Sequence, residues 1–345
     1  MTQERMNKVY NSRETMADDM IAGFVAAYPA LISLGSSNRR VVRRKALRTD
    51  ADKVAVLIGN GSGHEPIAMG FVGEGLLDAN VVGDVFTAPS PDAILDGLIE
   101  VTGPAGAVLL ISRHEGDVIN GNAAAFMAQD QGLDVRPLLM YDDISSAPQG
   151  QEDERRGAAG TMFIYKILGA AAEAGLDLDA LVALGEAVRD ATRTLGAALF
   201  PGTSPLTGET MFTLPPGEIA IGMGVHGERG AGHRQIAPAR TLVRDMVDAL
   251  LADRPIAAGT DTLVLINGSG GTTMMELLTI YGEVAGYLGE KNIPTEAPMI
   301  GSYSTTQEMG GFSISLFTPT AEMARYWRAP HAAPMFPQLN TGLGD

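Results

Sequence analysis

The stretch Lys53-Val-Ala-Val-Leu-Ile-Gly-Asn-Gly-Ser-Gly-His64 decides the fold, because it passes directly from a continuous apolar run into a glycine-rich turn. An apolar run of this length that ends at glycine is typical of a strand buried on both faces of a parallel sheet. The second half of the chain has the same pattern at Asp261-Thr-Leu-Val-Leu-Ile-Asn-Gly-Ser-Gly-Gly271. The repetition indicates either two related α/β halves or the same turn chemistry reached independently.

Apolar runs and helical segments alternate along the rest of the chain. The predicted strands are 53–58, 106–111, 135–140, 218–223, 261–266 and 312–317, and the predicted helices are 15–28, 91–101, 120–131, 158–174, 178–195, 239–252, 273–288 and 321–327. Alternation of this kind indicates βαβ units around a largely parallel sheet.

The length of the chain indicates two domains, since 345 residues exceed the size at which a single core usually stops growing. Residues 200–217 are rich in proline and glycine, which favours a connection between domains there. We therefore predict an α/β protein with an N-terminal domain, 1–199, and a C-terminal domain, 200–345. Each domain is expected to contain a largely parallel or mixed sheet flanked by helices.

Composition excludes several classes of function. The formal net charge of −16 disfavours binding to nucleic acid, whose phosphates require a basic surface, and it disfavours an anionic membrane surface as well. The chain has no cysteine, which excludes disulfides and thiolate chemistry. No stretch approaches the roughly 18 apolar residues of a membrane helix, and the N-terminus has no apolar signal core. We expect a soluble, cytoplasmic protein.

Three polar side chains follow predicted strands directly. His226 lies in Gly222-Met-Gly-Val-His-Gly-Glu-Arg-Gly230, a segment too rich in glycine to continue a helix or a packed strand, while His64 and Asp117 follow two other strands. In open α/β sheets ligands bind at the carboxyl ends of the strands, so these three residues are candidates for one site. The alternatives are structural: a histidine satisfied within a turn, and a helix N-cap for Asp117.

Known nucleotide-binding motifs do not account for this edge of the sheet. The Gly59–Gly63 turn lacks the third glycine of the dinucleotide fingerprint, and no phosphate-binding loop with a Gly-Lys-Ser/Thr end occurs. Two imidazoles and a carboxylate suit general acid–base chemistry on hydroxyl groups. They would also suit a divalent metal, with His114 and Glu115 as further ligands.

Taken together, these motifs resemble the substrate-binding subunit, or domain, of dihydroxyacetone kinase, over essentially the whole chain. The resemblance rests on Gly61-Ser-Gly-His-Glu-Pro66, Gly83-Asp-Val-Phe86 with Pro89-Ser90, Gly116-Asp117, Asp142-Asp143, Arg155-Arg-Gly157 with Ala159-Gly160-Thr161, Gly224-Val-His-Gly-Glu228, Asn267-Gly268 with Gly270-Gly-Thr272, and Met309 with Gly311-Phe312.

The resemblance implies a covalent role for His226. A ring nitrogen of this histidine would add to the ketone carbon of a short ketose and form a hemiaminal, which glycerol cannot form because it has no carbonyl. His64 and Asp117 would hydrogen-bond the substrate and act as the acid–base pair. The turn that contains Gly61, Ser62 and Gly63 would also contact the substrate.

The same resemblance implies that this chain binds no nucleotide itself. ATP or ADP with Mg²⁺ would be carried by an all-helical partner of the DhaL type, and because the chain ends at Asp345 we expect that partner to be a separate subunit. In split systems a phosphotransferase-system component supplies the phosphoryl group. The family also implies a homodimer.

One departure from the family pattern affects specificity. Where family members with dihydroxyacetone activity carry Lys-Asn-Tyr-Thr, this chain has Ser112-Arg-His-Glu115, and Asn60 replaces a glycine. The family's substrate-contacting lysine thus falls on Ser112, which frees volume for a larger ketose such as erythrulose. Arg113 or His114 would alternatively restore the lost polar contact and retain dihydroxyacetone.

Two other classes of function remain open from the sequence. One is a ligand-sensing, regulatory relative of the kinase subunit without turnover. The other is a metal-dependent enzyme that uses His64, His114 and Asp117. Intact acid–base residues favour the kinase subunit over the sensor, since a sensor would need His226 alone.

Overall fold

The structure is a computed structural model that describes residues 7–49, 53–224, 227–228, 230 and 232–338. His226 therefore lies outside the described residues. Among the helices of the described ranges, none combines the length and the apolar character that crossing a bilayer would need.

The first half of the chain forms a six-stranded sheet covered by helices on both faces. Its elements are α1 (Met16–Ala27), β1 (Ile32–Leu34), β2 (Val41–Arg44), β3 (Ala55–Ser62), β4 (Ala79–Val85), α2 (Pro91–Val101), β5 (Ala107–Ser112), α3 (Glu115–Asp130), β6 (Val135–Met140), α4 (Met162–Glu173) and α5 (Leu178–Asp190). The strand order is β1-β2-β4-β3-β5-β6, in which β4, β3, β5 and β6 are parallel while β1 and β2 form an antiparallel edge.

Each face of this sheet buries its own set of apolar side chains. Ile94 and Leu98 of α2 pack with Leu57 of β3 on one face, together with α3. Helices α4 and α5 cover the opposite face. Burial on both faces explains why the central strands are apolar without alternation.

The second half forms a mixed six-stranded sheet. Its elements are β7 (Thr192–Phe200), β8 (Glu218–Ile221), β9 (Gly232–Gln235), α6 (Ala239–Asp253), β10 (Thr262–Gly268), α7 (Met274–Glu290), β11 (Thr295–Gly301), β12 (Gly310–Phe317) and α8 (Ala321–Arg328). The strand order is β11-β10-β12-β7-β8-β9, and only β10 and β11 are parallel. Helices α6 and α7 cover one face.

Helix α4 joins the two sheets through a shared core. Its residues from Met162 to Ala172 are all buried, and the same apolar cluster contains Leu265 and Phe317 of the second sheet. A helix that is apolar on all sides is expected to be enclosed by other elements. The exception is Lys166, whose Nζ donates to the Tyr326 carbonyl at 2.9 Å, and burial lowers the pKa of this amine to about 8.

The predicted α/β class, with two helix-flanked sheets, is confirmed. The helix predicted over 178–195 is wrong at its end, because α5 stops at Asp190 and β7 begins at Thr192. Residues 201–217 connect β7 to β8, which are neighbouring strands of the second sheet, whereas the sequence interpretation placed a connection between domains there. The boundary between residues 199 and 200 stays a prediction; sheet membership puts β7 with the second half.

Candidate functional site

A cavity of about 490 Å³ lies at the edge of the first sheet where β3 and β5 end. These strands are parallel neighbours, so the residues that follow them emerge on the same side. The volume falls within the range of about 300–1,000 Å³ that is usual for small-molecule sites. The cavity is lined by residues of both halves, among them Gly61, His64, Phe86, Ser112, His114, Asp117, Arg156 and Glu228.

Glycine is required in the turn after β3 because other groups approach its backbone closely. A Cβ on Gly61 would lie 2.8 Å from the main-chain nitrogen of Thr87. Gly63 has φ +102°, and a Cβ there would lie 2.6 Å from the ring of Phe86. The Glu65 carboxylate accepts from the Gly63 amide at 2.9 Å, and burial raises the pKa of Glu65. The turn is thus held in one shape.

His64 is oriented by the backbone of the second half. Its Nδ1 lies 2.8 Å from the Thr305 carbonyl oxygen, the residue as a whole is 9% exposed, and its ring lies 5.1 Å from the ring of Phe86. A carbonyl oxygen only accepts, so Nδ1 must carry the proton and donate it to Thr305. The Thr305 amide donates back to the His64 carbonyl at 3.1 Å, which fixes the main chain as well.

Asp117 lies in the first turn of α3, not at its N-cap. The N-cap is His114, whose side chain makes no capping hydrogen bond. The predicted helix start at residue 120 is therefore too late, because the strand ends at Ser112 and the helix begins three residues later. A carboxylate in the first turn is stabilised by the helix dipole. The Asp117 side chain is 13% exposed and its Oδ2 lies 3.8 Å from Nδ1 of His114.

Ser112 and His114 contact each other at the cavity wall. The Ser112 hydroxyl lies 3.1 Å from Nδ1 of His114. The Arg113 guanidinium instead donates to the Glu154 carbonyl at 3.0 Å, away from this pair. Of the two residues considered as replacements for the family's lysine, His114 is the one that contacts Ser112.

The sequence interpretation assigned no role to two charged residues of this wall, Arg156 and Glu228. Both belong to motifs on which the resemblance rests, but nothing in their local pattern shows that they meet, with Nη1 and Oε2 4.0 Å apart. Glu228 also belongs to the glycine-rich segment that contains His226. Ser62 and Gly63, although part of the predicted turn, do not line this cavity, and Ser62 is buried.

The metal-dependent alternative finds no support in the geometry. Within residues 7–49, 53–224, 227–228, 230 and 232–338, no three histidine, aspartate or glutamate side chains are gathered so that they could hold a metal ion. His64, His114 and Asp117 line one cavity without forming such a set.

The chain is similar to proteins of one family. A family model described as the Dak1 domain matches residues 22–335. The chain is 37% identical to the D-erythrulose kinase of Mycolicibacterium smegmatis over 96% of its own length but only 56% of that protein's. It is 35% identical to the PTS-dependent dihydroxyacetone kinase 2, dihydroxyacetone-binding subunit DhaK, of Listeria innocua, over 96% of this chain and 99% of that one. The crystal structure of the dihydroxyacetone kinase of C. freundii superposes with a TM-score of 0.89 at 32% identity, over 96% of this chain and 60% of that one.

Proposed function

The chain belongs to the Dak1 domain family, and on that premise we propose that it is the ketose-binding subunit of a dihydroxyacetone-type kinase. The substrate is a short ketose, dihydroxyacetone or the four-carbon erythrulose. The reaction is the transfer of a phosphoryl group to a terminal hydroxyl of that ketose.

The observation that carries the proposal is that His64 and Asp117 line the same cavity. The Thr305 carbonyl holds the proton of His64 on Nδ1, so Nε2 is the ring nitrogen that would accept a proton from a hydroxyl. The glycine turn lets a small hydroxylated ligand approach the main chain at Gly61. The imidazole, the carboxylate and the accessible main chain at Gly61 supply hydrogen-bonding groups for a polyhydroxy substrate.

His226 is proposed to bind the ketone covalently. The lone pair of a ring nitrogen forms a bond to the ketone carbon, and the carbonyl π pair moves to the oxygen. That oxygen takes a proton while the imidazole releases its own N–H proton, so the hemiaminal is neutral. Because Glu228, two residues further along, lines the cavity, the proposal places the reactive carbon near this wall.

The phosphoryl group is proposed to come from an all-helical, nucleotide-carrying subunit of the DhaL type, with ATP or ADP and Mg²⁺ bound there. This chain spans 99% of a relative that is named a dihydroxyacetone-binding subunit, which supports a division of labour between subunits. Asp117 or His64 would take the proton of the terminal hydroxyl as the P–O bond forms. A homodimer of this chain is part of the proposal.

Carbon-13 NMR with dihydroxyacetone labelled at the ketone carbon tests the covalent step. We expect the ketone resonance to be replaced by one of an sp³ carbon in the wild-type protein, and not in the His226→Ala variant. His233→Ala is the matched control, because His233 lies on the exposed strand β9 of the same sheet. A protein that binds the ketose with the ketone resonance unchanged would contradict the covalent role.

A coupled assay with the nucleotide-carrying subunit tests turnover. Arms that contain ATP, or phosphoenolpyruvate with the general phosphotransferase proteins, distinguish the two phosphoryl donors. Tight ketose binding with no turnover in either arm would favour the regulatory alternative.

A further inference from the structure

One arginine contacts both ends of the glycine-rich segment 222–230. Nη2 of Arg156 donates to the Gly222 carbonyl at 3.1 Å, at the point where the segment leaves β8. Nη1 of the same guanidinium lies 4.0 Å from Oε2 of Glu228. The side chain is 14% exposed, so these contacts are only weakly screened by solvent.

The arginine is itself held by the first half of the chain. Asp143 follows β6, and its Oδ2 accepts from Nη2 of Arg156 at 2.9 Å. Oδ1 of Asp143 lies 2.6 Å from the hydroxyl of Ser145, which also lies 2.9 Å from the Gly222 carbonyl. Nη2 of Arg156 has two N–H groups and can donate to both the Asp143 carboxylate and the Gly222 carbonyl, whereas the single proton of the Ser145 hydroxyl is shared between these two acceptors.

The side chains of Arg156 and Glu228 lie close to the main chain of the segment at Gly224. A Cβ at this position would lie 2.2 Å from Oε2 of Glu228 and 2.3 Å from Nη1 of Arg156. The Gly224 amide donates to the Glu228 carbonyl at 3.0 Å, and the Gly227 amide donates to the Gly224 carbonyl at 3.0 Å. These two bonds hold the main chain of Gly224, Gly227 and Glu228 together next to the two charged side chains.

We propose that Arg156 and Asp143 are positioning residues that hold the glycine-rich segment, and with it the substrate-binding histidine, against the first half of the site. The inference rests on the proposed function. Glycine carries a large conformational entropy, so a segment with four glycines among nine residues orders itself only at a cost. Charge-assisted hydrogen bonds to the segment offset this entropic cost in the ligand-free protein, so the segment is preorganised for the ketose.

The hydrogen bonds of Arg156 and Asp143 also join the two halves of the chain. His64 and Asp117 belong to the first sheet, whereas the segment extends from β8 of the second. Nucleophilic addition requires the reacting atoms within about 3–3.5 Å of each other, so the relative placement of the two halves controls the reaction. Arg156 lies in the first half and contacts the segment directly, and Asp143 holds Arg156 in place.

Arg156→Gln tests the proposal through two measurements. We expect the apparent affinity for labelled dihydroxyacetone to fall about 10- to 100-fold, as expected when charge-assisted hydrogen bonds are lost. We also expect amide hydrogen exchange in the peptide that spans 222–230 to become several-fold faster in the ligand-free protein. Arg156→Lys should recover part of the affinity and part of the slow exchange, since lysine keeps the positive charge but has one donor nitrogen in place of Nη1 and Nη2.

The matched control is Arg234→Gln. Arg234 lies on β9, close to the segment in sequence, but its Nη1 bonds to Asp245 at 2.7 Å. We expect its affinity and its exchange pattern to equal those of the wild type. If Arg156→Gln does not fold, Ser145→Ala is a milder variant, because it removes the hydroxyl that lies 2.9 Å from the Gly222 carbonyl. It should accelerate amide exchange in the same peptide.

Two outcomes would overturn the proposal, and a third bears on the proposed function instead. Unchanged exchange in Arg156→Gln together with weakened binding would overturn it, because Arg156 would then contact the substrate directly. Additive effects of Asp143→Asn and Arg156→Gln would also overturn it, since residues of one network are expected to be coupled. Absence of any covalent adduct in the wild type would contradict the proposed function. The exchange data would still show whether Arg156 and Asp143 order the glycine-rich segment.

Discussion

Nδ1 of His64 lies 2.8 Å from the carbonyl oxygen of Thr305, so the backbone of the second half orients a side chain of the first. The two residues are separated by 241 positions in sequence. The contact sets the tautomer of the imidazole and therefore determines which ring nitrogen faces a ligand.

Substitution of His64 by Asn or Gln is expected to separate orientation from proton transfer. The Asn amide can occupy the place of Nδ1 and keep the bond to Thr305, whereas the Gln amide reaches the place of Nε2. We expect both variants to lose about 10²- to 10⁴-fold in kcat, because neither amide accepts a proton. Only Asn should retain wild-type thermal stability. A kcat within a few-fold of wild type in both variants would remove His64 as the base.

Gly63→Ala and Gly132→Ala form a matched pair of variants. Both glycines have positive φ, +102° and +85°, so each alanine should cost about 1–2 kcal/mol of unfolding free energy from backbone strain. Only at Gly63 would the new Cβ also meet a neighbour, the Phe86 ring at 2.6 Å, whereas nothing lies within 4 Å at Gly132. Chemical denaturation and ketose titration should show a binding defect in Gly63→Ala alone. Equal binding in the two variants would contradict the assigned role of the turn.

Ser112→Lys is expected to shift the choice of ketose. A long side chain at the end of β5 would fill volume at the cavity wall that a four-carbon substrate would use. We expect the ratio of kcat/KM for erythrulose over dihydroxyacetone to fall roughly 10-fold, a size typical of steric discrimination in a pocket. Ser112→Ala, which removes only the contact with His114, should leave this ratio near the wild-type value. An unchanged ratio in the lysine variant would show that Ser112 does not set specificity.

Asp142 should make stability depend on pH. Burial raises its pKa to about 6 from an ordinary value of 3.8, against the opposing hydrogen bonds from Thr194, Ala158 and Gly160. The folded protein therefore holds this proton more tightly than the unfolded chain. The stabilisation is complete below about pH 4 and is lost as the pH rises through about 6, with a total change of about 3 kcal/mol.

Urea unfolding of the wild type and of Asp142→Asn between pH 4 and 8 measures this effect. The stability of the wild type relative to the variant should fall as the pH rises to about 6 and stay level above pH 7. Asparagine lacks one of the two acceptor oxygens, so a constant offset between the curves is expected as well. Parallel curves throughout would show that Asp142 is not the titrating group.

Local pattern predicted those elements whose residues follow one periodicity. The run from Lys53 marked β3 because it is apolar without interruption, although the strand extends through the glycines to Ser62. The first residues of β7, Thr192 to Leu195, were predicted as the end of a helix, and Gly196, Ala197 and Ala198, which follow, carry too little β propensity to indicate a strand. These small residues lie in a strand because pairing with β12 and β8 on both sides outweighs their intrinsic preference.

The site was predictable where a residue follows a strand and unpredictable where a distant backbone contributes. His64 and Asp117 were found by that rule, and both line the cavity. The Thr305 carbonyl carries no side-chain signal at all. Likewise the bond from Arg156 to Gly222 depends on two loops that meet only in the folded chain.

Strand β12 is the only strand that connects β7, β8 and β9 on one side with β10 and β11 on the other in the described sheet. A nascent chain on the ribosome can complete the first sheet once residue 140 has left the exit tunnel. The second sheet must wait for Gly310–Phe317, and until then the edges of β7 and β10 that will pair with this strand stay open. Premature termination before β12 is therefore expected to yield a half-folded polypeptide that requires chaperones or is degraded.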